Sequence, residues 1–368
     1  MNQEYTARGI AKYAGAFIAW MIGSGFASGQ ETLQFFTSYG LASYTAIGLN
    51  FIGTLFFGVV FVETGYRNRE LSPFNHFLYF CGNRAGRFYS GLIAVIVFLL
   101  MAVLISGAGA TLQEYYGLNH LAGSLLMAAA VLAAYLSGFE RLIFVISKVG
   151  PAVIAFTLAV GVITAVRDWG DLSMASSQAA VLSPLRTSPH WGISSLLYLS
   201  LNFLSGGAYF TQLGVSAERE KDVTYGMIVG IVVLMAAIAI VNTAFLLNAQ
   251  PMAELSIPIL YLAEKISHPL GAAFSIILIL GIFSSCSSMM WTVCSRFSFS
   301  EKRTQQLFAA GVAAGAFFIG LLPFTKLISV FYPLVGYAGI LLLLMVVRKV
   351  SSAGAPQAVS SSEKSNVQ

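Results

Sequence analysis

"MIGSGFASGQETLQFF", residues 21–36, lies in the first apolar segment of the chain and decides how the rest is read. Three glycines, two serines and a carboxylate, Glu31, stand where a membrane helix should be most regular. Ser28 followed three residues later by Glu31 fits an S-x-x-E capping box, so a new helix is expected near Gly29 with Ser28 as its N-cap. The segment then becomes two half-helices joined by an extended "GSGFA", because glycine permits unwinding and leaves backbone groups uncovered. Irregular backbone survives at that depth only against protein or a water-filled cavity. The half-helix ends would aim donors and acceptors at mid-membrane, which suits a zwitterion, or an anion plus a metal ion.

Composition supports a bilayer setting. The chain has 368 residues, 57% hydrophobic and 10% charged, with a mean hydropathy of +0.78. A soluble domain of this size needs far more charge on its surface. The net charge of +5 forms no basic patch, since Lys and Arg lie between apolar runs, so nucleic acid is not an expected partner. Cys81, Cys286 and Cys294 match no metal-ligand spacing and no disulfide scaffold. The N-terminus reads as a retained first helix, without a cleavage site of small residues.

A hydrocarbon core of about 30 Å needs roughly 20 apolar residues per helix. Ten segments qualify: 12–38, 41–64, 88–113, 121–137 and 141–166, then 191–215, 223–247, 269–295, 304–322 and 327–347. With the N-terminus inside, sixteen of the twenty Lys and Arg fall on the cytoplasmic side. The external set is Arg167, Arg186, Lys265 and Lys326. This positive-inside bias puts both termini in the cytoplasm of a bacterial inner membrane protein. Phe74, Phe77, Leu78 and Cys81 are spaced as a short interfacial helix. Residues 248–269 should hold one or two short helices in an external loop. Residues 1–350 form one transmembrane domain, and the small, polar tail at 351–368 is expected to be disordered.

A second break is expected in the sixth segment, where "LLYLSLNFLSGGAYFTQLG" places Asn202, Ser205, Gly206 and Gly207 near mid-span. Five helices precede it, so the second block enters the membrane from the opposite side. The expected fold is all-α, ten transmembrane helices in a 5+5 inverted repeat (about 12–166 and 191–347), with the first and sixth helices broken. That is the pattern of a secondary transporter.

The stretch "GSGFASGQETLQFFTSYG" closely resembles the first helix of the YkvI-like bacterial membrane proteins. More distantly it is similar to the G-S-G signature of the amino acid–polyamine–organocation superfamily, which has the LeuT-type fold. That resemblance implies that the backbone and serine of Gly23, Ser24 and Gly25 hold a substrate carboxylate. It implies acceptors for the substrate amine at Met21 or Ile22 and around Asn202, Phe203, Ser205 and Gly206. Tyr13, Trp20, Phe203 and Tyr209 either close over a substrate or simply pack.

Two readings of the coupling ion stand side by side. Ser284, Ser287 and Ser288 share one face of the eighth segment by their i, i+3, i+4 spacing. The resemblance implies a sodium site from the carbonyls of Ala19, Ile22 and Ser284 and the hydroxyls of Ser287 and Ser288, and sodium is the preferred ion. The alternative reading has the same serines bond back to carbonyls of their own helix. The competing reading is proton coupling through Lys148, in the fifth segment, or through Glu31, since ionisable groups inside a membrane are functional by default. No organic cofactor is expected.

The expected function is ion-coupled secondary transport of a small amino-acid-like solute by alternating access. The alternative is a sensor or receptor that keeps the transporter fold and only binds. An enzyme is not expected: the four histidines lie in connections or at span ends, and no catalytic motif is present. Oligomeric state is not legible.

Overall fold

The computed structural model describes residues 5–21, 24–71, 75–137, 140–170, 175, 177–297, 299 and 301–353, with the side chains of Ser24 and of 140–151 left outside that description. Helices follow one another without a strand among these residues. The first expected span is divided into α1 (Ala7–Met21), a single turn α2 (Ser24–Ser28) and α3 (Gln30–Phe35), then a 3-10 turn at Thr37–Tyr39. There follow α4 (Ala42–Arg67), α5 (Asn75–Tyr116), α6 (His120–Ser137) and α7 (Glu140–Arg167). After a 3-10 segment at Ala179–Leu185 come α8 (Trp191–Val215) and α9 (Glu220–Leu246). The expected external loop holds two short helices, α10 (Ala249–Met252) and α11 (Pro258–Ile266). The chain then runs through α12 (His268–Ser295), α13 (Lys302–Ile319) and α14 (Phe324–Ala353). Most of the tail expected to be disordered, from residue 354 on, lies outside the described residues.

Among the described residues, six helices are long and apolar enough to cross a membrane: α4, α5, α6, α9, α12 and α14. Their outer faces carry exposed side chains such as Ile52, Phe88, Leu126 and Leu344, each more than 60% accessible, and α13 adds Leu307 and Phe318. Lipid, not water, is the solvent such a surface suits.

Apolar burial gives little drive for helix pairing in lipid, so close backbone approach and interhelical hydrogen bonds carry it. The pairing of α4 with α8 illustrates both. A Cβ on Gly65 would meet the Thr211 carbonyl, and one on Gly214 would meet the Val62 carbonyl. Farther along the same pair, Asn50 Nδ2 donates to the Ser195 carbonyl at 2.9 Å, and Ser195 Oγ to the Ala46 carbonyl at 2.8 Å. Ser200 Oγ ties α8 to α14 by donating to the Gly336 carbonyl at 2.6 Å.

The sixth expected span departs from the sequence reading. It is one unbroken helix, α8, through Asn202, Ser205, Gly206 and Gly207. Asn202 Nδ2 donates to the Tyr198 carbonyl and Ser205 Oγ to the Leu201 carbonyl, both at 2.8 Å, so these polar groups satisfy their own helix. The glycines serve close packing instead: Trp20 lies against Gly206 and Phe61 against Gly207. The expected interfacial helix forms the start of α5, which bends at Gly82 (φ 68°). One side of it, His76, Phe77 and Phe80, is buried in the bundle, while Leu78 and Cys81 are half-buried; Phe74 lies outside the described residues.

Contacts between connections sort into two ends. At the basic end, Arg67 pairs with Glu220 at 3.1 Å, Arg69 reaches the Ala217 carbonyl, and Thr6 bonds Asp222. At the other end, Arg186 reaches the Ser38 carbonyl and Lys265 pairs with Asp168. This division matches the one drawn from Lys and Arg alone.

Candidate functional site

The interruption of the first span is tighter than expected. "SGFAS" is a helical turn, not an extended strand, and Ile22 and Gly23 lie outside the described residues. Among the described residues the discontinuity is Gly29, at φ 90°, a left-handed conformation that only glycine adopts without strain. A side chain there would also run into Phe245 and Ile259.

The capping box does not form. Ser28 Oγ donates to the Gly25 carbonyl at 2.8 Å and accepts from the Gln30 N–H at 3.3 Å. The left-handed residue resets the helical phase after Ser28, and the Glu31 side chain turns across the bundle instead of back to the N-cap. At six residues, α3 also has too short a run of peptide dipoles to act as an anion-binding half-helix.

What the turn builds is a polar island. Gln30, Glu31, Thr32 and Gln34 are all buried, Glu31 being 9% exposed and the others 1% or less. Gln34 Nε2 donates to Gln30 Oε1 at 2.9 Å, and Gln30 Nε2 to the Leu255 carbonyl at 2.6 Å, between α10 and α11. Thr32 Oγ1 and Gln34 Oε1 are buried with no hydrogen-bond partner.

Glu31 faces α8 and α14. Its Oε2 accepts from the Tyr198 hydroxyl at 3.3 Å. Its Oε1 lies beside Gly25, where a Cβ would be, and the Tyr332 hydroxyl closes on the same point at 2.8 Å. Register explains the first partner: Ser194 Oγ donates to the Phe35 carbonyl at 2.7 Å, and one turn later on α8 Tyr198 meets Glu31, one turn earlier on α3. Phe35 and Phe36 hold the Tyr198 ring at centroid distances of 5.3 and 5.1 Å. Tyr332 stands beside Pro333 on α14, the helix that Ser200 ties to α8.

Other expected site residues are distributed more widely. Met21 is buried at the end of α1, while Ala19 is exposed. Ser24 is helical, with its side chain outside the described residues. Phe203 sits in an aromatic cluster with Phe57, Phe61 and Phe210 at 5.4–5.6 Å. Trp20 stacks on Tyr209 at 4.9 Å, which joins α1 to α8 by packing.

The sodium set is not assembled on one side of α12. Ser288 is exposed, and its hydroxyl donates to the Ser284 carbonyl at 3.1 Å, the carbonyl expected to bind the ion. Ser287 points inward, buried and without a hydrogen-bond partner. The backbone of Lys148 belongs to α7, and its side chain lies outside the described residues. Tyr198, Tyr332, Gln30 and Gln34 were not anticipated. The polar run "QETLQ" inside an apolar segment was the available signal for the two glutamines.

Comparison with known proteins gives the following. No family model matches the chain. It is 25% identical over 354 residues to "Uncharacterized membrane protein YkvI" of Bacillus subtilis (strain 168), covering 92% of this chain and 95% of that one. It is 24% identical over 286 residues to "Uncharacterized protein YyaD" of the same organism, covering 75% and 78%. Similar solved structures include the Eremococcus coleocola manganese transporter in complex with an aromatic bis-isothiourea substituted compound. There the TM-score is 0.45 and the identity 11%, over 98% of this chain and 73% of that one. A mutant of the same transporter gives a TM-score of 0.43 at 13% identity, over 96% and 74%. Over nearly its whole length, then, the chain is similar to the membrane protein YkvI, in keeping with the resemblance carried by its first-helix motif.

Proposed function

We propose that the chain is a secondary active transporter of a small amino-acid-like solute, alternating access around the interrupted first span. The observation that carries this reading is the polar island on α3, with Glu31 buried between Tyr198 and Tyr332. A broken backbone and a carboxylate are costly inside a membrane and are kept where a pathway or a binding site uses them. The contact of Gln30 with Leu255 places the α10–α11 loop against the island, as a cover over one approach to it. The amino-acid character of the solute rests on the resemblance of "GSG" at 23–25 to the superfamily signature. Ten helical segments in two runs of five favour the inverted repeat, although only the first run opens on a broken helix. The inner membrane and cytoplasmic termini follow from the distribution of Lys and Arg.

The test is accumulation in proteoliposomes under imposed sodium or proton gradients, with the proteinogenic amino acids as probes. Uptake that exceeds protein-free liposomes under either gradient supports the reading. If no amino acid accumulates under either gradient, and none raises the thermal stability of the purified protein, the reading is wrong.

A further inference from the structure

We propose that Glu31 is a proton-binding site and that its carboxyl, as arranged here, holds the proton that moves together with the solute. The coupling half of this inference rests on the transport reading above; the proton-binding half stands without it.

Glu31 is 9% exposed; its Oε2 accepts from the Tyr198 hydroxyl, and its Oε1 and the Tyr332 hydroxyl both stand where a side chain on Gly25 would be. Among the described residues no lysine, arginine or histidine forms an ion pair with it. A carboxylate removed from water without a cation is far costlier than a neutral carboxyl, so a positive charge must be supplied. The geometry limits what that charge is. One carboxyl oxygen already fills the volume beside Gly25, and the Tyr332 hydroxyl closes on the same point, so the group is enclosed on several sides. A proton needs no further room. It adds to one carboxyl oxygen, which then becomes a donor, and the hydroxyls of Tyr198 and Tyr332 serve as acceptors as readily as donors. It leaves from the same oxygen when the site opens to water.

Among the described residues the neighbours supply no competing charge; the side chain of Lys148 on α7 lies outside that description. Tyr198 faces Glu31 from α8 and Tyr332 from α14, with the buried Cys286 of α12 beyond Tyr332. The residues described in α2 have no titratable side chain, and α9 approaches with Phe245. The link to the solute is electrostatic. A solute carboxylate brought to the Gly25 turn would meet the Glu31 carboxyl already seated there, and two carboxylates sharing one dry site do not both stay ionised. A proton on Glu31 removes that repulsion, which makes solute binding and proton binding mutually supportive.

Two measurements on the purified full chain test this. The first is infrared difference spectroscopy of wild type against Glu31→Gln at neutral pH, without any solute. The expected result is the C=O stretch of a protonated carboxyl in wild type, absent in Glu31→Gln. In Glu31→Asp and Tyr198→Phe the band should shift, which secures an assignment even if Glu31→Gln does not fold. The second is acidification of pyranine-loaded proteoliposomes on adding a mixture of the proteinogenic amino acids, expected in wild type and lost in monodisperse Glu31→Gln. If no protonated-carboxyl band depends on residue 31, the inference falls. Amino-acid-driven acidification that survives in Glu31→Gln overturns the coupling role and leaves transport standing. A band without any acidification supports the proton site and overturns the coupling role, and uptake under the sodium gradient then decides transport by itself.

Discussion

The Oε1 oxygen of Glu31 occupies the space that a side chain on Gly25 would need, so the second glycine of "GSG" is a seat for a carboxyl. Gly25→Ala must therefore displace Glu31 from between Tyr198 and Tyr332. Overpacking of this kind costs about 1–3 kcal/mol. Gly15, with nothing within 4 Å of its own Cβ position, is the control. Alanine there should stabilise α1 by roughly 0.5–1 kcal/mol. Thermal unfolding in detergent should show Tm falling in Gly25→Ala and rising in Gly15→Ala. A fall of equal size in both would show that the seat is not specific.

Gly29 and Gly82 both have positive φ, 90° and 68°, but in different surroundings. At Gly82 a Cβ meets open space, but φ 68° with ψ −178° is a region essentially reserved for glycine, so Gly82→Ala costs about 1–3 kcal/mol of backbone strain alone. At Gly29 it would also meet Phe245 and Ile259. Gly29→Ala is expected to be the more damaging by more than about 1 kcal/mol, given the added overpacking. Comparing the urea midpoints of the two variants checks the order.

The Tyr198 hydroxyl donates to a buried carboxyl, and hydrogen bonds to such groups contribute about 1.5–3 kcal/mol when the acceptor is charged and nearer 1 when it is neutral. Tyr198→Phe and Glu31→Gln should therefore be non-additive, with a coupling of roughly 0.5–3 kcal/mol in a double-mutant cycle. Additive effects would mean that the two side chains do not act on each other.

Much of the architecture was legible because it depends on local properties. The runs of apolar residues marked the long helices, and Lys and Arg grouped the connections that meet at each end. The prolines and polar residues at 248–269 marked the short helices α10 and α11. What failed depended on partners distant in sequence. "SGG" at 205–207 has the composition of a break, yet Trp20 and Phe61 fill the room those glycines leave, and the helix continues. Ser28 and Glu31 have capping-box spacing, but spacing assumes one helical phase and Gly29 interrupts it. The partner that claims Glu31 is 167 residues away. The serines of α12 show the limit of face arguments. Ser287 and Ser288 are adjacent, and the helix boundary between interior and lipid runs between them.

At the end opposite the basic cluster, Asp168 Oδ2 accepts from Lys265 Nζ at 2.8 Å and from Asn248 Nδ2 at 2.9 Å, linking the end of α7 to α11 and to the turn after α9. Burial alone would raise the Asp168 carboxyl, but the Lys265 and Asn248 hydrogen bonds and the nearby Lys265 and Arg167 charges hold it below its ordinary value. A carboxyl depressed in the folded state contributes stability that is fully present above the ordinary aspartate value, about 3.9. That contribution is lost as pH falls through the folded value, because the unfolded chain takes up the proton first. Lys265 and Asp168 are 40% and 20% exposed at the side chain, so the ion pair is worth less than about 1 kcal/mol. Asp168→Asn should therefore lower Tm slightly at neutral pH, and the gap to wild type should close once pH drops below the folded value. Added salt should narrow the same gap at neutral pH, since screening weakens an accessible pair. A difference unchanged by acid or salt would assign the effect to packing instead of charge.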